Sequence, residues 1–222
     1  ILQDVDSRSY LSTLFDSVML KDVVKRYNIR YSQSLYDLAI YLLTNFGLEY
    51  SFNSLRKSIG FNSTNTVQNY IKYLEETYLF FSLERFSFSK KNLIRAPRKI
   101  YIADNGFIPA VASLHSTNIG RLLENAVFIE LLRKKYKPNL ELYYHKTGNG
   151  KEIDFVLKKN NKVVALIQVC YDISDLATNE RECKALFEAA GELKCDNLIL
   201  LANNETTTIK YKTRTIRIIS IL

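Results

Sequence analysis

The stretch KEIDFVLKKNNKVVALIQVC, residues 151–170, constrains the fold of this chain more than any other. Two apolar, β-branched runs flank the polar residues NNK, which predicts two adjacent strands joined by a tight turn. Asp154 lies on the first strand. Gln168 and Cys170 share one face of the second, because side chains alternate along a strand. The stretch therefore predicts a strand pair that carries an acid beside an amide and a thiol.

The second half of the chain alternates helices with strands. Helices are predicted at about 118–136 and 178–190. Strands are predicted at about 141–145, 152–158, 162–170, 197–203 and 215–222. The order αβββαββ indicates a mixed sheet flanked by helices.

The first half is predicted to be mainly helical. Helices are expected at about 10–27, at 35–46 before Gly47, at 53–59 before Gly60, and within 61–80. In the last of these, Val67, Ile71 and Leu74 form the buried stripe, and either Asn62 or Ser63 caps the start. Two alternating stretches, 78–83 and 84–88, indicate a hairpin. Three helices and a hairpin predict a winged helix-turn-helix.

Composition excludes several kinds of site. The formal charge of 31 − 23 = +8 favours a polyanionic partner. Three cysteines without Cys-x-x-Cys spacing and two histidines support neither a disulfide framework nor a zinc site, so we expect a cytoplasmic protein. No apolar run approaches the roughly 20 residues that span a bilayer, and we expect no membrane partner. GNGK at 148–151 is followed by Glu152 instead of Ser or Thr, so no ATP site is expected here.

Two surfaces are candidates for binding DNA. On the last helix of the first half, Asn65, Gln68, Asn69 and Lys72 point away from the buried stripe, and amides can read base edges in the major groove. The following segment, 84–99, is strongly basic and can neutralise phosphates. Its cations include Lys90, Lys91 and Arg95. The alternative is that both are ordinary solvated surfaces, or that the winged helix contacts protein instead.

Three side chains of the second half form a candidate magnesium site. Glu124 lies on the long helix, and Asp154 and Gln168 lie on adjacent strands. Oxygen ligands suit magnesium, which can activate water and stabilise charge on a phosphate. The alternative is that the two acids are buried partners of nearby Lys or Arg side chains, with no metal.

Six segments carry a resemblance to a known family. They are YLSTLFDSVMLKDVVKRYNI (10–29), TVQNYIKYLEETYLF (66–80), RKIYIADNGF (98–107), GRLLENAVFIELLR (120–133), KEIDFVL (151–157) and ALIQVCYDI (165–173). Together they resemble the C-terminal portion of bacterial and archaeal AAA-type ATPases that end in a nuclease-like domain of unknown function. The only methionine is Met19 and the first residue is Ile1, so we expect a fragment of such a protein.

The resemblance implies an α+β architecture, a winged helix-turn-helix followed by a mixed α/β restriction-endonuclease-like, or PD-(D/E)xK, domain. We assign residues 1–30 to the helical tail of an upstream ATPase domain, 31–97 to the winged helix and 98–222 to the nuclease-like domain. ATP would bind only in that upstream domain, which is the expected partner in cis, together with DNA. A second copy of the chain, in a homo-oligomer, stays an open alternative as a further partner.

The strand pair departs from the chemistry of active PD-(D/E)xK nucleases. Their Glu-x-Lys motif supplies a metal ligand and a cation that orients water, and here Gln168 and Cys170 take those places. Cys170 carries no fixed charge, and at most weak magnesium binding is expected. Lys184, on the following helix, is the candidate substitute for the missing lysine. We expect a catalytically degenerate, DNA-binding region; the alternatives are an active magnesium-dependent endonuclease and a protein-interaction module.

Overall fold

The protein is described here by a computed structural model, which covers residues 7–89, 96–112, 118–203, 206–211 and 213–221. It is a mixed α+β structure that divides into two compact units. The first unit comprises Ile1–Ser82 and Pro97–Thr117, and the second comprises Leu83–Ala96 and Asn118–Leu222. Among the described residues, no helix combines the length and the apolar character needed to cross a membrane.

The first unit combines helices with a small sheet. Its helices are α1 (Ser7–Val18), which continues as a π-helix (Met19–Lys25), α2 (Ser32–Thr44), α3 (Phe52–Ile59), α4 (Thr64–Glu75) and α5 (Phe107–Val111). The strands of this sheet are β1 (Glu49–Tyr50), β2 (Phe80–Glu84), whose last two residues belong to the second unit, and β3 (Arg98–Ile102), in the spatial order β1-β3-β2.

Helix α4 follows from local sequence signals. Ser63 begins it, because the Ser63 hydroxyl accepts a hydrogen bond from the Asn65 N–H at 3.1 Å. Of the two predicted caps, Ser63 is therefore the one whose side chain caps the helix. The predicted stripe of Val67, Ile71 and Leu74 is buried. This burial leaves the opposite, polar face of the helix in solvent.

The predicted hairpin between 78–83 and 84–88 is wrong. β3 lies between β1 and β2, with Tyr50 opposite Arg98, so the partner of β2 comes from residues beyond 97. The Phe86 N–H instead donates to the Tyr144 carbonyl at 2.6 Å, within the second unit. Alternation of side chains indicates a strand but does not identify its partner. β3 is buried at four of its five positions, as expected of a strand with neighbours on both sides.

The second unit is a six-stranded mixed sheet with two long helices. The helices are α6 (Ile119–Arg133) and α7 (Leu176–Leu193). The strands are β4 (Leu142–Lys146), β5 (Glu152–Lys159), β6 (Lys162–Cys170), β7 (Leu198–Ala202), β8 (Thr207–Tyr211) and β9 (Arg214–Ser220), in the order β4-β5-β6-β7-β9-β8. β6, β7 and β9 are parallel neighbours, and the other pairs are antiparallel.

The two faces of this sheet are covered differently. Leu166 and Leu200 pack with Leu186 of α7 in one core. On strand β5, Phe155 places its ring 6.4 Å from that of Phe128 on α6. Because neighbouring side chains on a strand point to opposite faces, the side chain of Asp154 faces the α7 side of the sheet.

Candidate functional site

Asp154 and Gln168 are joined directly across β5 and β6. The Asp154 N–H donates to Gln168 Oε1 at 3.3 Å, and the Val169 N–H donates to Asp154 Oδ2 at 2.9 Å. The side chains are almost fully buried, with 5 % of Asp154 and 7 % of Gln168 exposed. The two strands thus bring together two of the predicted site residues. A side-chain oxygen of each residue accepts a hydrogen bond from a backbone N–H.

Glu182 on α7 completes this cluster. Gln168 Nε2 donates to Glu182 Oε2 at 2.8 Å. Arg181 donates to the other carboxylate oxygen of Glu182 through Nε at 2.9 Å and Nη2 at 2.6 Å. The amide therefore bridges the backbone of Asp154 and the Glu182 carboxylate. We call Asp154, Gln168, Glu182 and Arg181 the amide-bridged cluster.

Sequence reasoning missed Glu182. The sequence does contain one indication that Glu182 is buried. Leu186, Ala189 and Leu193 follow it on α7 at helical spacing, and all three are buried. A glutamate in such a stripe needs a buried partner, because an isolated carboxylate is costly to remove from water. Gln168 and Arg181 supply the hydrogen bonds.

Cys170 follows the cluster at the end of β6. Its Sγ donates to the Asp172 carbonyl at 3.2 Å, and the side chain is half-buried. Burial raises the pKa of the Cys170 thiol, and the nearby Glu182 carboxylate raises it further. Cys170 is therefore a neutral thiol without a fixed positive charge.

The other two predicted residues of the site lie on the helices. Glu124 is buried on α6. Lys184 donates to Glu180 Oε2 at 2.7 Å, and both side chains are mostly exposed. Lys184 lies two positions after Glu182, which is roughly 200° around a helix, so Lys184 projects away from Gln168. Within the part of the chain that the structure describes, no three His, Cys, Asp or Glu side chains are grouped so that they could hold a metal ion.

The polar face of α4 is open to solvent. Asn65, Gln68, Asn69 and Lys72 are all exposed. Lys72 Nζ lies 3.9 Å from Glu76 Oε1, a long surface ion pair that leaves 71 % of the lysine side chain exposed. The basic residues Lys90, Lys91 and Arg95 lie outside the described residues.

Comparison with known families divides the chain near residue 118. Residues 1–118 match the model of a domain of unknown function, DUF8612. The chain belongs to the DUF8612 family. Residues 119–221 match a second domain of unknown function, DUF4143. The family boundary thus coincides with the start of α6, and β3 lies on the DUF8612 side together with the strands it pairs with.

Two curated relatives are similar along most of the chain. An uncharacterized protein of Methanocaldococcus jannaschii is 34 % identical over 197 residues, covering 87 % of this chain and 43 % of the relative. An uncharacterized protein of Haemophilus influenzae is 28 % identical over 169 residues, covering 74 % of this chain and 41 % of the relative. The chain therefore spans less than half the length of these relatives.

One solved structure also matches. It is a chain from an assembly of Thermococcus gammatolerans McrB AAA+ hexamers with bound McrC, 11 % identical, with a TM-score of 0.33. The match covers 84 % of this chain and 47 % of that chain. A TM-score of this size does not establish a common fold.

Proposed function

We propose that this chain is a DNA-binding region of a larger AAA-type ATPase, in which a winged helix precedes a PD-(D/E)xK-like domain that has lost cleavage. The amide-bridged cluster carries the proposed loss of cleavage. At the place of the motif glutamate, Gln168 directs its nitrogen to Glu182 and its oxygen to the Asp154 N–H. A side chain whose nitrogen and oxygen are both hydrogen-bonded in this way is better suited to connecting the sheet to the helix than to binding a metal ion.

The topology of the first unit supports the winged helix. Along the chain, α2, β1, α3, α4, β2 and β3 follow one another, and the spatial order is β1-β3-β2. This is the arrangement in which β2 and β3 form the wing and β1 pairs with the returning strand. The exposed amides of α4 then lie on the helix that such domains place in the major groove.

The second unit supports the PD-(D/E)xK-like domain. α6 precedes the antiparallel strands β4, β5 and β6, and α7 leads to β7, which is parallel to β6. The acid of β5 and the amide of β6 lie side by side, where active enzymes hold magnesium. The neutral Cys170 cannot supply the cation that orients water, and loss of such an electrostatic group costs about 3–4 kcal/mol of transition-state stabilisation.

The ATPase partner rests on the family resemblance and on length. More than half of each curated relative lies outside the region that this chain covers. That length leaves room for a further domain, and the resemblance supports an AAA-type ATPase as that domain. We therefore place ATP binding in that other domain.

DNA binding is tested with duplex DNA over a range of salt concentrations. Replacing Asn65, Gln68, Asn69 and Lys72 together by alanine should weaken binding at least tenfold, because both base and phosphate contacts are removed. In a second variant, Lys90, Lys91 and Arg95 become alanine, and the slope of affinity against salt should flatten.

A third variant controls for charge alone. Lys21, Lys25 and Arg26 are exposed on the first unit, and their replacement by alanine removes as many charges as the triple change at 90–95. Equal weakening by both triple variants would assign the effect to net charge instead of to this surface. Absence of duplex binding by the unmodified chain would reject the proposal and favour a protein-interaction module.

Loss of cleavage is tested with supercoiled plasmid and Mg²⁺ or Mn²⁺. We expect no nicking above the level of the Asp154→Asn variant. Asparagine keeps an acceptor for the Val169 N–H and removes the charge, so the variant should fold. Nicking that Asp154→Asn abolishes would contradict the proposed loss of activity.

A further inference from the structure

A cavity of about 540 Å³ in the second unit is separate from the amide-bridged cluster. It lies between the segment that follows β2, the end of β4 and the end of α7. The side chains that give it its chemistry are Arg85, Phe86, Phe88, His145, Lys146 and Glu192.

A hydrogen-bonded acid lines this cavity. Glu192 Oε2 lies 3.1 Å from His145 Nε2, and Glu192 Oε1 accepts the Gly148 N–H at 2.8 Å. These contacts fix the carboxylate, and 36 % of the side chain remains exposed. An ionised carboxylate has about four lone-pair sites, so Glu192 can still accept hydrogen bonds from a ligand.

The aromatic part of the cavity is anchored on one side and open on the other. Phe86 is buried, and its N–H is bonded to the Tyr144 carbonyl. The Phe88 ring stands edge-on to Phe86, with centroids 5.0 Å apart, and is 74 % exposed. A large aromatic ring that is both held and exposed provides a surface on which a planar group can stack.

Two cations accompany these groups. Arg85 Nη2 donates to the Lys146 carbonyl at 2.6 Å, which holds the guanidinium against the end of β4. The lining therefore combines an aromatic surface, two basic side chains and a carboxylate. Of ligands that pair a planar ring with an anion, a nucleotide whose base carries an amino group uses all three features.

We propose that this cavity binds one unstacked nucleotide of a single-stranded nucleic acid. The base stacks on Phe88, its exocyclic amino group donates to Glu192, and the phosphate contacts Arg85 and Lys146. Carboxylates accept from the amino group of cytosine, whereas thymine presents an acceptor at the same position, so cytosine is preferred over thymine. The inference rests on the nucleic-acid partner of the proposed function and adds to it a strand form and a base preference.

The test measures binding of the whole chain to labelled oligonucleotides of one length, at fixed salt. The strands are oligo(dC), oligo(dT) and an abasic strand with the same number of phosphates. Phe88→Ala should weaken oligo(dC) binding about tenfold and leave abasic binding unchanged, because stacking requires a base. Tyr78→Ala is the matched control, since Tyr78 is also 74 % exposed, and its effect should stay within twofold.

A second variant tests the base preference. Glu192→Gln should reduce the ratio of oligo(dC) to oligo(dT) affinity at least threefold, and a ratio is insensitive to partial unfolding. Abasic binding as tight as oligo(dC) binding, or an unaltered Phe88→Ala variant, would overturn the inference. Direct binding of dCMP by a chain that binds none of the oligonucleotides would also overturn it, in favour of a mononucleotide site. If the chain binds duplex DNA but binds oligo(dC), oligo(dT) and the abasic strand equally, this inference alone fails. If it binds neither duplex nor single-stranded DNA, the proposed function fails as well.

Discussion

Replacing Gln168 by glutamate, the residue of active nucleases, should destabilise this protein. Gln168 Nε2 donates to Glu182 Oε2 at 2.8 Å, and both side chains are buried with 7 % exposed. The variant would place two carboxylates at that separation. Two carboxylic acids in such a site cannot both be ionised, so the pair retains one proton in the folded state.

The cost follows from that proton. An ordinary glutamate has a pKa near 4.3, so keeping it protonated at pH 7 costs about 1.4 kcal/mol for each of about 2.7 pH units, or roughly 4 kcal/mol. Because the folded pKa is raised, folded protein binds a proton that unfolded protein releases. The free energy of unfolding therefore falls by about 1.4 kcal/mol per pH unit as pH rises above 4.3. Near pH 4.5 the variant should lie within about 1 kcal/mol of the unmodified chain.

Urea denaturation at several pH values measures this difference. Gln33→Glu is the matched control, because Gln33 Nε2 also donates to a carboxylate, that of Asp37, but in solvent at 2.9 Å. Its effect should be about 0.5 kcal/mol or less. Glu182→Gln in the Gln168→Glu background restores an amide–carboxylate pair, and the cycle should give a favourable coupling of about 2 kcal/mol. A Gln168→Glu variant that matches the unmodified chain at pH 7 would refute the reasoning.

Two further predictions concern acid stability and capping. Lys151 and Thr147 hold the pKa of Glu188 down, to about 2, by hydrogen bonding, so the stabilisation from this group is present above its ordinary pKa and is lost as pH falls towards 2. Between pH 5 and 2 in a pH titration of unfolding, Glu188→Gln should therefore show a shallower loss of stability, and parallel curves would contradict this. Ser63→Ala should lower the unfolding free energy by about 1 kcal/mol through loss of the cap of α4, whereas Ser58→Ala, on an exposed face of α3, should not.

The sequence predicts the local features well, and the reason is physical. The stripe Val67, Ile71 and Leu74 and the cap Ser63 depend only on residues a few positions apart. The short turn after Lys159 makes β5 and β6 neighbours, but Asp154 meets Gln168 only because the strand register shifts between Leu157 and Lys158. The stripe, the cap and the adjacency of the two strands are settled by neighbouring residues, so one sequence is sufficient for them; the register shift is not visible in the sequence.

The features that the sequence does not reveal depend on distant partners. β3 is the central strand of its sheet because it pairs with β1 on one side and with β2 on the other, although these two strands lie far apart in the chain. β8 is short and reads TTIKY, with little apolar signal, and it forms against β9. Glu182 joins the cluster because α7 packs over β6, which no local spacing predicts. A charge in an apolar helical stripe is the one clue that a single sequence offers.

If the second unit is the PD-(D/E)xK-like domain that we propose, introduction of an active nuclease motif should require three substitutions instead of two. Gln168→Glu and Cys170→Lys rebuild Glu-x-Lys, but Glu182 already acts on Cys170, where its charge raises the thiol pKa. A lysine at position 170 would pair with that carboxylate and could not orient water. Glu182→Gln removes this competing charge and, at the same time, its repulsion of the carboxylate introduced by Gln168→Glu.

Plasmid nicking with Mg²⁺ distinguishes the variants. We expect none from the unmodified chain, little from the double variant and clear nicking from the triple variant, which Asp154→Asn should abolish. Equal nicking by the double and triple variants would show that Glu182 does not hold the lysine. If the unmodified chain already nicks DNA and Asp154→Asn abolishes it, the degenerate assignment is wrong. Lys184 would then have to leave Glu180, to which it donates at 2.7 Å, and turn towards the strands. A Lys184→Ala variant of the unmodified chain decides that case, because it should lose activity only if this lysine replaces the one missing at position 170.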